Sequence, residues 1–333
     1  MDADRTTREP FVPADYEFDG YCRHYLEQWE QRATVRHMPR TRLSAEGTRG
    51  ELFPATLQPI LSHADVIAWG PDVRHRILAR ATATFMLHVA ILEVDLITDL
   101  CIKFVTADTG VPMPEAAKQV ALTVATDEAY HAFVAREFLG DLERHTGIVP
   151  ATDATMPIVA ALAEVRRRAP PDLKAATNTM VLCFAENFVT EELFGLSRED
   201  IPQGPFHTIM REHMMDEGRH QVFFQRLFRQ IWTGLDEEQR SALGRLVPVY
   251  LDSFLTAGSY EASQRDLLEY AGFDPEVAAR IARESLAATF GTELPRKSSL
   301  QFMRNALHLV EVSGILEHEP TRRALVESGW VDA

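Results

Sequence analysis

Asp127-Glu128-Ala129-Tyr130-His131 and Asp216-Glu217-Gly218-Arg219-His220 are two copies of one pattern, Asp-Glu-x-x-His. Residues three or four apart on a helix point the same way, so each copy presents a carboxylate and an imidazole to one point. The flanking apolar residues recur at the helical period. Ala121, Val124, Ala125, Ala132 and Ala135 share a face with Glu128 and His131, and Ile209, Met210, His213, Phe224 and Leu227 share one with Glu217 and His220. Acids and imidazoles therefore stand where a buried apolar stripe belongs.

Each copy is preceded, at a similar remove, by a segment with one inward glutamate. Met86, Val89, Ala90, Leu96, Ile97 and Leu100 place Glu93 mid-stripe, and Thr179, Leu182, Cys183, Val189 and Leu193 do the same for Glu186. A lone ionised carboxylate buried in a bundle costs several kcal/mol, about the whole stability of a typical domain. No Lys or Arg lies on these four stripes, whereas two divalent cations would cancel four carboxylates. Two helices with a single glutamate and two with Glu-x-x-His form the ligand pattern of di-iron and di-manganese carboxylate bundles. Imidazole with carboxylate suits iron or manganese better than calcium or structural zinc, and iron is the first choice. Asp127 and Asp216 are each placed to accept the distal N–H of a ligating histidine.

Proline and glycine punctuate the rest. Pro71 and Asp72 open a helical run to about Thr106, Pro112 and Pro114 introduce one to His145, Pro170-Pro171 one to about Leu196, and a fourth spans His207 to Trp232. A shorter helix ends near Arg168, and further short helices break at Gly234, Pro248, Gly258, Gly272 to Pro275 and Pro295. Residues 1–70 are less periodic, apart from an amphipathic stretch around Tyr21 to Ala33. No linker separates two cores. The expectation is an all-α chain forming one domain over 1–333: a peripheral N-terminal segment (1–70), a metal-binding core (71–233) and additional helices (234–333).

Asp and Glu total 49 against 34 Lys and Arg, a formal charge of −15, which repels nucleic-acid phosphates and anionic lipid headgroups. Cys22, Cys101 and Cys183 suggest neither a disulfide framework nor a thiolate metal site. The acidic N-terminus is wrong for a secretion signal. The apolar stretch Phe85 to Leu100, interrupted by His88, Glu93, Asp95 and Asp99, is too charged to span a membrane. A cytoplasmic protein is expected. With no Gly-rich dinucleotide loop and no cysteine cluster, its electrons must come from an external donor.

His213 adds an imidazole one turn before Glu217. The run His213-Met214-Met215-Asp216-Glu217-Gly218-Arg219-His220 resembles the His-x-x-x-Asp-Glu-x-x-His signature of the p-aminobenzoate N-oxygenase family of non-haem di-iron enzymes, and the other motifs match in order from about Pro71 to Leu227. The resemblance implies a ferritin-like four-helix bundle core with additional peripheral helices, assembled as a homodimer. Its metal ligands, which are also the catalytic residues, would be Glu93, Glu128, His131, Glu186, His213, Glu217 and His220. It further implies two iron ions cycling between Fe2+ and Fe3+, O2 as co-substrate, and a ferredoxin or reductase as electron-transfer partner. The reaction would oxidise a small-molecule amine, an arylamine foremost, through hydroxylamine to a nitroso or nitro product. The alternative is oxygen chemistry at carbon, namely hydroxylation, desaturation or oxidative cleavage, which metal ligands alone do not exclude. Among lesser candidates, Thr190 reads as bonded back to its own helix, His88 as interfacial, and Cys183 as a core filler. Phe184, Phe188, Phe194, Phe223, Phe224 and Phe228 read as core, with an arylamine pocket as the second reading.

Overall fold

Gly70, in the left-handed region at φ +88°, followed by Pro71 at the first helical position, starts the helix that carries the first inward glutamate. The computed structural model describes residues 13–151, 157–198, 203–253, 257–290, 297 and 303–332. Among them there is no strand. In chain order the helices are α1 (Pro13–Arg32), α2 (Thr34–His37), α3 (Ala64–Ala68), α4 (Pro71–Leu92), α5 (Asp99–Thr106), α6 (Glu115–Thr146), α7 (Pro157–Arg168) and α8 (Lys174–Leu196). They continue with α9 (Pro205–Gly234), α10 (Glu237–Gly244), α11 (Leu246–Ser253), α12 (Ala257–Ala271), α13 (Pro275–Phe290), α14 (Arg304–Val312) and α15 (Glu319–Glu327).

The fold is all-α and ferritin-like. Two helix pairs form its centre: α4 and α5 pack along α6, and α8 packs along α9. The pairs meet through α6 against α9 and α5 against α8. Where the period predicts one unbroken run from Pro71 to Thr106, the chain takes a π turn at Glu93–Thr98 before α5 begins. Such a turn widens the helix by one residue and is common at functional sites. Periodicity could not reveal it, because Glu93, Leu96, Ile97 and Leu100 keep a spacing of three or four and all stay buried. The second run ends as expected, with Gly147 at φ +71° closing α6 by donating to the Glu143 carbonyl at 2.8 Å.

Apolar burial holds the pairs together. Phe223, Phe224 and Phe228 on α9 are fully buried, each stabilising the fold by about 1.5–3 kcal/mol relative to an exposed ring. Phe184 of α8 meets Phe228 edge-on, with 5.2 Å between ring centroids. The later helices cover the bundle: α11 packs on α7, α14 on α8 and α12 on α4. The α12 contact is sealed by Arg80 of α4, which pairs with Asp266 at 3.3 Å and lies 4.4 Å from the Tyr270 ring centroid. At the other end of the chain α1 packs against both α6 and α9. Arg42 adds a two-pronged bond to the α6 residue Asp141, 2.8 Å on each prong, which holds that carboxyl down to about 2. No helix among the described residues is long and apolar enough to cross a membrane.

Candidate metal centre

Glu93 opens the π turn, Glu128 and His131 lie on α6, Glu186 on α8, and His213, Glu217 and His220 on α9. All seven are at most 5% exposed. They form two overlapping groups: Glu128, His131, His213 and Glu217, and Glu128, Glu186, Glu217 and His220. Within each group the donor atoms lie within 4.8 Å of one another, and either group could hold a metal ion. Glu128 and Glu217 belong to both, so these two carboxylates lie between the groups. Glu93 joins from the side, its Oε1 3.5 Å from His213 Nε2.

Burial of four acids in one place forces their protonation apart. Glu93 and Glu186 are pushed well above the usual carboxylate range, by burial first and then by the neighbouring glutamates. Burial opposes the charge on Glu128 and Glu217 too, but adjacent histidines outweigh it, holding Glu128 below and Glu217 well below their ordinary values. Burial likewise disfavours charged histidine. In His131 the Glu128 carboxylate and bonds to Asp216 and Glu128 overcome this and push the ring up to about 10, and Tyr25, Glu128, Glu217 and the bond to Asp127 raise His220. His213 is lowered, by burial and then by His131, whose ring centroid is 3.8 Å away. Burial and neighbours thus favour the neutral form of Glu93, Glu186 and His213, the carboxylate of Glu128 and Glu217 and the imidazolium of His131 and His220.

Hydrogen bonding points to cations in place of those protons. Oε1 of Glu93, Oε1 of Glu128, Oε2 of Glu217 and Nδ1 of His220 are buried without a hydrogen-bond partner, although His220 Nδ1 lies 2.6 Å from Glu128 Oε1. Each such orphan costs about 1–3 kcal/mol. Donor atoms left without a hydrogen bond this close together can be satisfied by a shared cation, and oxygen with imidazole nitrogen is the donor set of iron or manganese. The residues fit a pair of divalent ions.

The rings are held from behind in a crossed arrangement. Asp127 accepts from His220 Nε2 at 3.2 Å, and Asp216 accepts from His131 Nε2 at 3.0 Å, so each motif's aspartate holds the other motif's histidine. A carboxylate can only accept, so Nε2 of each ring carries the proton and Nδ1 faces the glutamates. Asp216 also accepts from the Thr34 hydroxyl at 2.5 Å, the Thr34 backbone N–H at 3.2 Å and Arg219 Nη2 at 2.5 Å. Asp127 accepts from Trp29 Nε1 at 3.0 and 3.1 Å, with Arg219 Nη2 3.5 Å away. Sequence reasoning missed these partners. Arg219 lies off the four stripes yet inside the second motif, a visible signal. Trp29 and Thr34 come from the N-terminal segment, where the amphipathic stretch around Tyr21 to Ala33 marks a helix but no contact to the centre.

A narrow, partly open pocket, with a volume of about 20 Å³, reaches the centre from the side of His131 and His213. Met86, Val89, Val134, Ile209 and Met210 form apolar walls, completed by polar Arg40, Thr41, Tyr130 and Glu212. The phenylalanine group does not line it: Phe184, Phe223, Phe224 and Phe228 are core, Phe188 is half-buried and Phe194 is exposed. Cys183 is fully buried, and His88 is mostly buried with Nε2 unbonded. The Thr190 side chain lies outside the described residues. A model of the family described as P-aminobenzoate N-oxygenase AurF matches residues 27–290, a span containing all seven converging residues. No curated protein matches the chain.

Proposed function

The chain belongs to the P-aminobenzoate N-oxygenase AurF family, and from that membership we propose that it is an O2-dependent di-iron N-oxygenase. It converts an amine, an arylamine in first place, through hydroxylamine to a nitroso or nitro product. The single observation that carries the reading is the convergence of six buried donors from three helices, with Glu93 beside them 3.5 Å from His213 and several donor atoms left without a hydrogen bond. Glu93, Glu128, His131, Glu186, His213, Glu217 and His220 would hold two irons. When bound, the irons supply the electrons and the Lewis acidity that activate O2 for oxygen transfer to nitrogen.

The chain's own residues do the rest. Asp127 and Asp216 keep Nδ1 of His220 and His131 turned inward. The apolar pocket walls exclude water and favour an unprotonated amine, whose lone pair is the reactive group. Outside electrons come from a ferredoxin or reductase. The homodimeric, single-domain, cytoplasmic organisation expected from the sequence belongs to the same proposal.

The test is to incubate the reduced, iron-loaded protein with O2 and a panel of amines that includes 4-aminobenzoate, and to identify products by mass spectrometry. Hydroxylamine, nitroso or nitro products are expected. Products oxidised only at carbon would transfer the site to the carbon-oxygenase class.

A further inference from the structure

We infer that Trp29, Asp127 and His220 form the route by which electrons from an external one-electron carrier reach the metal centre, an inference that rests on the two-iron reading above. The two aspartates behind the histidines are not equivalent. Asp216 ends in a hydroxyl, a backbone N–H and a guanidinium. Asp127 ends in an indole, with the same guanidinium only at 3.5 Å. Trp29, in the last turn of α1, is half-buried. Its Nε1 donates to both oxygens of Asp127 at 3.0 and 3.1 Å. Asp127 has no solvent exposure and takes the Nε2 proton of His220 at 3.2 Å. The far nitrogen of that ring, Nδ1, lies 2.6 Å from Glu128 and 3.5 Å from Glu217.

A line of covalent and hydrogen bonds thus runs from a ring that meets solvent to the His220 imidazole, whose far side faces the innermost carboxylates. Electronic coupling decays more slowly through such bonds than across van der Waals gaps, and a large π system at the outer end widens the target for a carrier. Orienting His220 requires only the carboxylate, and any small donor could satisfy that carboxylate's remaining lone pairs. The surface beside Trp29 carries both signs of charge. Exposed Arg32 lies in the same turn, and the Arg36 guanidinium sits 5.5 Å from the Trp29 ring centroid while pairing with Glu30 at 2.6 Å, all on a chain of net charge −15. In each transfer the carrier's reduced cluster loses one electron and one ferric ion becomes ferrous. Trp29, Asp127 and His220 end unchanged, and two transfers reload the pair.

The experiment compares wild type, Trp29→Phe and, as a control indole elsewhere on the surface, Trp69→Phe. Each is loaded with ferric iron and reduced anaerobically by a reduced [2Fe–2S] ferredoxin or by dithionite, which is small enough to use the narrow pocket. Iron content and the decay of ferric absorption are followed. Trp29→Phe should keep its iron, its ferric spectrum and its dithionite rate while ferredoxin reduces it about tenfold or more slowly, and Trp69→Phe should match wild type. Reduction of iron-loaded Trp29→Phe by ferredoxin at the wild-type rate overturns the route alone. Loss of iron, or equal slowing with both reductants, also overturns it, because Trp29 would then only position Asp127. An iron-free wild-type chain would overturn the functional reading, and the route with it.

Discussion

Loading the centre with metal should expel about four protons per chain at neutral pH. The count follows from the cluster itself: the Glu93 and Glu186 carboxyls are held protonated by burial among other acids, and His131 and His220 are held charged by adjacent carboxylates. Glu128 and Glu217 are already ionised and His213 is already neutral, so they release nothing. Two divalent ions bring four positive charges, matching the protons they displace. The assay is calorimetric titration of the metal-free protein with Mn2+ in buffers of different ionisation enthalpy, which separates proton release from binding heat. Affinity should rise steeply with pH, since metal competes with protons held above their ordinary range. Stability of the metal-free protein has the matching sign. His131 contributes stability that is complete below its unfolded value, about 6.5, and is lost as pH rises through about 10. Glu217 contributes stability present above its unfolded value and lost as pH falls through its depressed one. Release of less than about one proton per chain would refute the charge accounting on which the site rests.

Asp127→Asn and Asp216→Asn should each weaken metal binding by about 10–100-fold, read by competition with a chromophoric chelator; unchanged affinity would show that the crossed contacts to His220 and His131 do not orient them. His213→Ala should lower iron occupancy or product yield with helix content intact, whereas two retained irons and full turnover would remove His213 from the ligand set. On the scaffold, a Cβ added at Gly244 falls on the Thr321 side chain, while one at Gly140 in α6 meets nothing within 4 Å. Gly244→Ala should therefore destabilise by about 1–3 kcal/mol and Gly140→Ala should stabilise by about 0.5–1 kcal/mol, both measured by urea unfolding.

The centre was legible because its chemistry violates burial rules in a periodic way. Glu93, Glu186 and the two Glu-x-x-His pairs sit where only apolar residues belong, and spacing alone brings each pair to one face. What surrounds the centre was less legible. The π turn at Glu93–Thr98 preserves the three-and-four spacing and so leaves no trace in periodicity. Asp127 and Asp216 were recognisable as acceptors, but which histidine each would hold depends on how α6 and α9 face one another. Trp29 and Thr34 matter through long-range bonds, and the amphipathic stretch around Tyr21 to Ala33 that includes Trp29 signals a helix without signalling what it touches. The pocket is equally a product of packing: Met86, Val134 and Met210 come from three helices and look like ordinary core residues in one dimension.

The central claim, that buried acids from four helical segments meet because they enclose two cations, is tested most directly by counting metal. After anaerobic loading with ferrous iron and removal of excess, elemental analysis should give two irons per chain, falling to one or none in Glu217→Ala, which removes a carboxylate shared by both groups. A wild-type chain that retains no iron, or a Glu217→Ala variant that retains as much as wild type, would contradict it.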